Sequence, residues 1–277
     1  MRHNVLFNIR QFKMKNNNQN TALVTGAASG LGYELALLLA KDNYNLILID
    51  IDAEKLEEAK QNILKDYQPN ITLMVKDLSV VNIAEEIYKE ISNIEIDVVI
   101  NNAGFGLFGT FCDTDWEREA KMLNLHILTS THLLKLLLPD MVNRGSGKIL
   151  NLSSLAAFQP GPLMALYYAS KGYILSFSEA ISNELKGTGV TVTALCPGPT
   201  KTSFQSVVSE NAAENKIAFN MACPKDVALY GYNAMQKGKV VAIPGAINKF
   251  LSVLPRILTR NRTTKIVRKI QDKNRAS

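Results

Sequence analysis

"TALVTGAASGLG", residues 21–32, runs a strand-forming apolar segment straight into three glycines and a string of small side chains. Gly26, Gly30 and Gly32 are spaced G-x3-G-x-G, with Ser29 and Leu31 set between them, and a helical pattern begins at Leu31. A chain that gives up side chains here leaves bare backbone at the end of a strand. Such backbone serves one of two ends. It allows a tight turn with close helix–strand packing, or it lets an anionic group approach the free N–H groups and positive dipole end of the helix.

Outward from this stretch, short apolar runs alternate with longer helical ones. Thr21–Thr25, Asn45–Asp50, Ile71–Val75, Asp97–Asn101, Lys148–Leu152, Thr191–Leu195 and Lys239–Ala242 are predicted strands. Leu31–Lys41, Ala53–Asp66, Ile83–Ser92, Asp115–Leu138, Leu166–Lys186 and Lys225–Gln236 carry helical spacing. Strands that are apolar throughout and joined by helices specify a parallel sheet covered on both faces. Right-handed crossovers make it an α/β, doubly wound (Rossmann) seven-stranded fold, with ligands at the carboxyl ends of the strands. A single domain over 20–245 is expected, including a substrate loop at 202–223. Residues 1–19 form a disordered or extraneous arm in which Met14 is an alternative start, and 246–277 form a basic amphipathic tail.

Composition bounds the function. With 277 residues, 47% of them hydrophobic, one domain can bury a substantial core. No apolar run reaches the roughly 18 residues a membrane span needs, since Leu133–Leu138 is interrupted by Lys135 and closed by Pro139. The first 20 residues lack the apolar block and cleavage site of a secretory signal. Cys112, Cys196 and Cys223 form no CxxC pair, which argues against a disulfide framework or a metal site and for a reducing, cytoplasmic setting. The net charge of +6 is unevenly spread: residues 1–20 hold four basic and no acidic residues, 247–277 nine basic and one acidic, and 21–246 eighteen basic against 24 acidic. An acidic body with basic ends is no nucleic-acid surface.

Asp50 closes the second predicted strand, 24 residues after Gly26, where a carboxylate can accept hydrogen bonds from the ribose hydroxyls of an adenosine. Its other role, capping the next helix, falls better to Asp52. A 2′-phosphate set against Asp50 costs roughly 4 kcal/mol per pair of unit charges at about 4 Å and an effective dielectric near 20. Neither Ser29 nor Ile51 supplies a cation to offset this, so NAD is expected in preference to NADP.

In "YYASK", Tyr167 and Lys171 stand four residues apart, on one helix face. Tyr168 has no such lysine. A phenol with pKa near 10 needs roughly 4 kcal/mol to titrate near 7, and an ammonium about 5 Å away supplies around 3. Thirteen residues earlier Ser154 follows the strand "KILNLSS", placed to hydrogen-bond a substrate oxygen while Tyr167 moves the proton; Ser153 is the alternative. As a lone pattern Tyr-x3-Lys also arises from ordinary helix-surface pairs.

Together these motifs resemble the short-chain dehydrogenase/reductase family. The chain shows Thr25-Gly26-Ala27-Ala28-Ser29-Gly30-Leu31-Gly32, Asn101-Asn102-Ala103-Gly104, Asn124 in "MLNLH", Ser154, Tyr167-x3-Lys171, and Pro197-Gly198 followed by Thr202, in family order over about residues 20–245. The resemblance implies Tyr167 as general acid/base and Lys171 lowering its pKa and binding the nicotinamide ribose. It implies Ser154 orienting the substrate oxygen, and Asn124 holding through its backbone a water that relays protons from Lys171. Asp77, with Leu78, is implied beside the adenine. Asn101, Ala103 and Gly104 are implied against the cofactor, and Thr200 and Thr202 at the nicotinamide carboxamide beyond Pro197 and Gly198. Without the resemblance, Asp77 reads as a loop cap and Asn101 as a strand terminator. A homo-oligomer, dimer or tetramer, is expected, and with NAD the expected direction is oxidation.

The loop "LAAFQPGPLMAL", 155–166, holds no ionic group, and residues 203–224 have the length of a lid, so the expected substrate is an apolar secondary alcohol or ketone. A nucleotide-binding scaffold without turnover and a membrane-associated interaction protein are the other two readings. In the tail, Ile247, Phe250, Leu251, Leu254, Ile257, Leu258, Ile266, Val267 and Ile270 recur at mostly three- and four-residue spacings among basic residues. Pro255 is expected to separate two short helices. The tail either docks over the substrate end of the sheet or anchors the protein peripherally on an anionic membrane surface.

Overall fold

The protein is described by a computed structural model that covers residues 19–201 and 221–276. Strands β1 (Thr21–Thr25), β2 (Asn45–Asp50), β3 (Ile71–Val75), β4 (Val98–Asn101), β5 (Gly147–Leu152), β6 (Val190–Leu195) and β7 (Val241–Ala242) form one parallel sheet in the order β3-β2-β1-β4-β5-β6-β7. The chain builds outward from β1 to β3, then crosses back to lay β4 on the other side of β1. The order therefore reverses between β1 and β4, and their carboxyl ends open a crevice there.

Successive strand residues point to opposite faces, and here both faces are buried. Ala22, Val24, Leu46, Leu48, Val98 and Ile100 join one core with α1 (Gly30–Lys41), α2 (Ala53–Asp66) and α7 (Pro224–Gln236). Leu23, Ile47, Ile49, Val99 and Ile149 join the other with α3 (Ile83–Glu90) and α5 (Ser130–Arg144). This is why the strands read as unbroken apolar runs rather than alternating ones.

Two helical expectations are corrected. The segment expected as one helix over Asp115–Leu138 is α4 (Trp116–Leu123), a π-helical turn at Asn124–Thr129, and α5. Pro139 does not end α5, which runs on to Gly145 at φ 69. One face buries Leu133, Leu134, Leu137 and Met141, and that burial outweighs the hydrogen bond proline cannot donate. In the tail, Pro255 lies inside α8 (Ala246–Ile257), and the chain breaks at Leu258, where ψ is 151, before α9 (Arg260–Ala276). The 1–19 arm, apart from its last residue, and Thr202 with most of the 202–223 loop lie outside the described residues; the ends of that loop meet in a bridge between Thr200 and Ala222.

The crevice is held by a clasp. Thr25 Oγ1 donates to Ile100 O at 3.2 Å and accepts the Asn102 and Ala103 N–H groups at 3.0 and 3.1 Å. Asn102 Nδ2 donates to Thr25 O and Gly26 O at 2.9 and 3.0 Å. Gly26 turns at φ +64, and a Cβ on Gly32 would lie 2.0 Å from Gly26 O, so both positions require glycine. Thr25→Val keeps the shape of the clasp and strands two N–H groups. A loss of about 2–4 kcal/mol in urea unfolding is expected from two unmet donors; unchanged stability would show that the clasp carries nothing.

Candidate active site

The start of α1 forms an anion cradle. Ser29, at the cap position with φ −159, makes no side-chain cap hydrogen bond, and the first turn holds no acidic residue. Among the described residues the leading N–H groups of the helix thus have no side-chain cap, beside a turn stripped of bulk. Asp50 reaches this turn directly: its Oδ2 accepts the Ala28 N–H at 3.0 Å and its Oδ1 the Asp52 N–H at 3.2 Å. Helix capping falls to Asp52, which accepts the Lys55 N–H at 3.1 Å. These residues fit a dinucleotide: the helix end would hold its pyrophosphate and Asp50 would accept from its ribose.

Of the other expected cofactor residues, Thr202 lies outside the described residues, and the hydrogen bonds of several others are defined. Asp77 Oδ1 accepts both the N–H and the hydroxyl of Ser79, at 2.9 and 2.6 Å, so this carboxylate is a loop cap. Leu78 is buried, and its carbonyl accepts Thr129 Oγ1 at 2.8 Å. Asn101 does not point its amide at the crevice: its Nδ2 donates to Asn151 Oδ1 at 3.0 Å, and Asn151 donates on to Ser178. Strand alternation turns Asn101 into the sheet and leaves Asn102, which the sequence reading gave no role, as the clasp. Pro197 O accepts the Leu155 N–H at 2.8 Å, which ties the turn after Ser154 to the loop that carries Gly198 and Thr200.

α6 (Ala165–Glu184) brings Tyr167 and Lys171 to the end of β5. Ser154 caps a 3₁₀ turn at Leu155–Phe158: its Oγ accepts the Ala156 N–H at 3.1 Å, and its hydroxyl hydrogen-bonds the Tyr167 phenol. Ser153, the alternative, is buried and gives its hydroxyl to Lys171 O at 2.8 Å, so Ser154 alone serves the phenol. Tyr168 is likewise occupied, taking a hydrogen bond from Gln271 Nε2 of α9 at 2.9 Å. Lys171 Nζ lies 5.8 Å from the Tyr167 ring centroid and donates to Leu152 O at 2.9 Å.

The charge states depart from expectation. Burial raises the Tyr167 phenol to about 12, with the Ser154 hydrogen bond opposing it. Burial lowers the Lys171 ammonium to about 8. With Lys171 at about 8 and Tyr167 at about 12, the ammonium has lost its proton before the phenol titrates, so in the protein alone it does not pull the phenol down. Asn124 opens the π-helical turn, where the regular hydrogen-bond ladder is interrupted.

One residue that sequence reading missed joins these parts. His126, two positions after Asn124, is buried; its Nε2 accepts the Phe105 N–H at 3.2 Å and its Nδ1 donates to Ser170 Oγ at 2.9 Å. Ser170 donates in turn to Tyr167 O at 2.8 Å. The N–H of Phe105 can only donate, so Nδ1 carries the ring proton. Gly104 is glycine because a Cβ there would lie 2.5 Å from His126 Nε2. The only signal in the sequence was a lone histidine on an apolar helix face, which more often marks ordinary core.

Residues 20–224 match the family model of the short chain dehydrogenases. The very-long-chain 3-oxoacyl-CoA reductase of Rattus norvegicus is 30% identical over 241 residues, covering 85% of this chain and 75% of that protein. A short-chain dehydrogenase from Sphingobium yanoikuyae in complex with NADPH superposes with a TM-score of 0.74 at 24% identity, over 82% of this chain and 88% of that one. One from Burkholderia phymatum in complex with NAD gives 0.73 at 21%, over 85% and 92%. The two structures establish likeness of fold.

His126 is held neutral, its pKa well below 6.5 through burial and then the Lys171 charge. The unfolded chain takes up that proton near pH 6.5 and the folded one does not. The stability is therefore full above 6.5 and is lost as pH falls toward the folded value. Thermal unfolding from pH 7 to 5 should show wild type losing up to about 1.4 kcal/mol per pH unit that His126→Gln does not lose. Parallel slopes would refute this.

Proposed function

The chain belongs to the short-chain dehydrogenase/reductase family, and on that premise we propose that it moves a hydride between NAD(H) and an apolar secondary alcohol or ketone. Family membership makes it an oxidoreductase acting on the CH–OH/C=O couple. The observation that carries the finer reading is the convergence of Ser154, Tyr167 and Lys171 at the carboxyl edge of β5. The nicotinamide supplies or accepts the hydride. Tyr167, protonated when its pKa is about 12, gives its proton to the carbonyl oxygen in reduction and takes one in oxidation. Ser154 turns its hydroxyl to that oxygen, and Lys171 holds the ribose and the charge that steadies the phenolate.

A small cavity beside Tyr167 is lined by Leu107, Phe111, Met122, Leu163 and Met164 among others. Its polar members, Thr114 and Glu119, bond each other at 2.7 Å. A wall of this kind favours an apolar arm on the substrate. The rat relative's name points to a second reading, a 3-oxoacyl thioester, whose reacting ketone sits on an apolar chain. A panel of apolar ketones, their alcohols and 3-oxoacyl thioesters, followed by absorbance of the reduced nicotinamide, separates the two.

NAD is preferred because Asp50 stands at the ribose end, and Ile51, 64% exposed, offers a 2′-phosphate nothing. The free cysteines suit a reducing cytoplasm. Exposed Leu128 and Tyr173 offer a second copy an apolar face for a homo-oligomer.

Tyr167→Phe should lower kcat by at least about 10²-fold while NADH still binds; normal turnover in that variant, with Tyr168→Phe inactive, reverses the assignment. Dissociation constants should favour NADH over NADPH, and Asp50→Ala with Ile51→Arg should narrow or invert the ratio. The double variant also loses the acceptor of the Ala28 N–H, so some stability goes with it. Equal wild-type affinity for the two cofactors would remove the preference.

A further inference from the structure

The tail is docked, but with its polar side inward. In α8, Ser252 is 5% exposed, and Asn248 packs against Gly198 and donates to Pro244 O at 2.7 Å. The apolar residues face out: Ile247 is 68% exposed, Phe250 66%, Val253 49% and Ile257 76%. At 100° per residue these four, with Leu251, Leu254 and Leu258, fill one continuous arc of about 160°. Lys249 and Arg256 run along one flank of it. In α9, Thr263, Val267 and Gln271 are buried, while Ile266 and Ile270 are exposed beside Arg262, Lys265 and Lys269. The one acidic residue of the tail, Asp272, is taken by Arg268 at 2.8 and 3.1 Å. A helix docked only to cover the sheet would bury its apolar arc; this one presents it.

We propose that the outer face of α8 and α9 seats on an anionic lipid surface, with the apolar arc entering the headgroup boundary and the basic residues meeting lipid phosphates. The charge selects this occupant. Nine basic residues against one acidic in 247–277 complement an anionic leaflet, whereas a second copy of the same face sets cation against cation. Position adds a consequence that rests on the substrate reading above. α8 packs on the 3₁₀ turn after Ser154, and Gln271 of α9 touches Met164, which lines the cavity beside Tyr167. An apolar ketone dissolved in the bilayer then meets the site without crossing water.

Sedimentation of the full chain with phosphatidylcholine vesicles, with and without phosphatidylglycerol, tests this. Three engaged cations give about 10²-fold tighter binding to the anionic vesicles. High salt should weaken that binding. Phe250→Glu with Ile257→Glu, both at exposed positions, should abolish it and leave thermal unfolding and turnover of a water-soluble ketone unchanged. Lys265→Glu with Lys269→Glu should weaken binding to the anionic vesicles alone. Equal sedimentation with both vesicles, none with either, or wild-type sedimentation of the Phe250/Ile257 variant overturns the proposal. So does loss of a dimer on those substitutions without vesicle binding, which gives the face to a second copy. Sedimentation needs no turnover, so it stands apart from the hydride-transfer reading.

Discussion

The Thr25–Asn102 clasp is the constraint on which the site depends. Where the strand order reverses, β1 and β4 end side by side with backbone groups that no further ladder can satisfy, and an open crevice there leaves them to water or to each other. One threonine hydroxyl and one asparagine amide take up five of these groups across the two strand ends. The glycine turn is thereby fixed in its left-handed form without any bound molecule, and the first N–H groups of α1 are aimed before an anion arrives. Preorganisation of this kind spares the cofactor the cost of ordering the loop.

From the clasp a second line of hydrogen bonds runs to the chemistry. The loop after β4 is carried by the clasp; its Phe105 N–H meets His126, His126 meets Ser170, and Ser170 meets the backbone of Tyr167. Cofactor loop and catalytic helix are thus registered to each other through a neutral imidazole. A protonated ring would lose its acceptor nitrogen and face Lys171 as a like charge, so burial of the histidine and position of the phenol are one condition. The same low dielectric raises Tyr167 and lowers Lys171. The protein by itself therefore holds an acid ready to donate.

The tail shows the limit of periodicity. Three- and four-residue spacing marked the tail as amphipathic and helical, but Pro255 is not where the two helices part, and spacing cannot say which side of a helix faces the body. Asn248, Ser252 and Thr263 turn inward but hydrogen-bond carbonyls of their own turns, while Gln271 reaches across to Tyr168 and Val267 is buried on the same face. The apolar arc is left outward as a consequence.

The sequence by itself determined the seven-stranded doubly wound fold, since strands apolar on both sides and joined by helices have one economical packing. It also singled out Ser154, Tyr167 and Lys171, the trio proposed to carry the chemistry, which the fold brings together at the end of β5. What it could not decide were matters of direction and competition. The register of β4 turns Asn101 into the sheet and Asn102 to the turn, and a shift of one residue would exchange them. The sequence favoured Ser154 over Ser153, and the fold adds the reason that the Ser153 hydroxyl is taken by the carbonyl of Lys171. Pro139 stays inside its helix because burial of one face outweighs a lost hydrogen bond, and Pro255 lies in the last turn of its own. His126 became visible only when β4, the π-helical turn and α6 met around it, because a buried imidazole takes its role from partners 21 and 44 residues away.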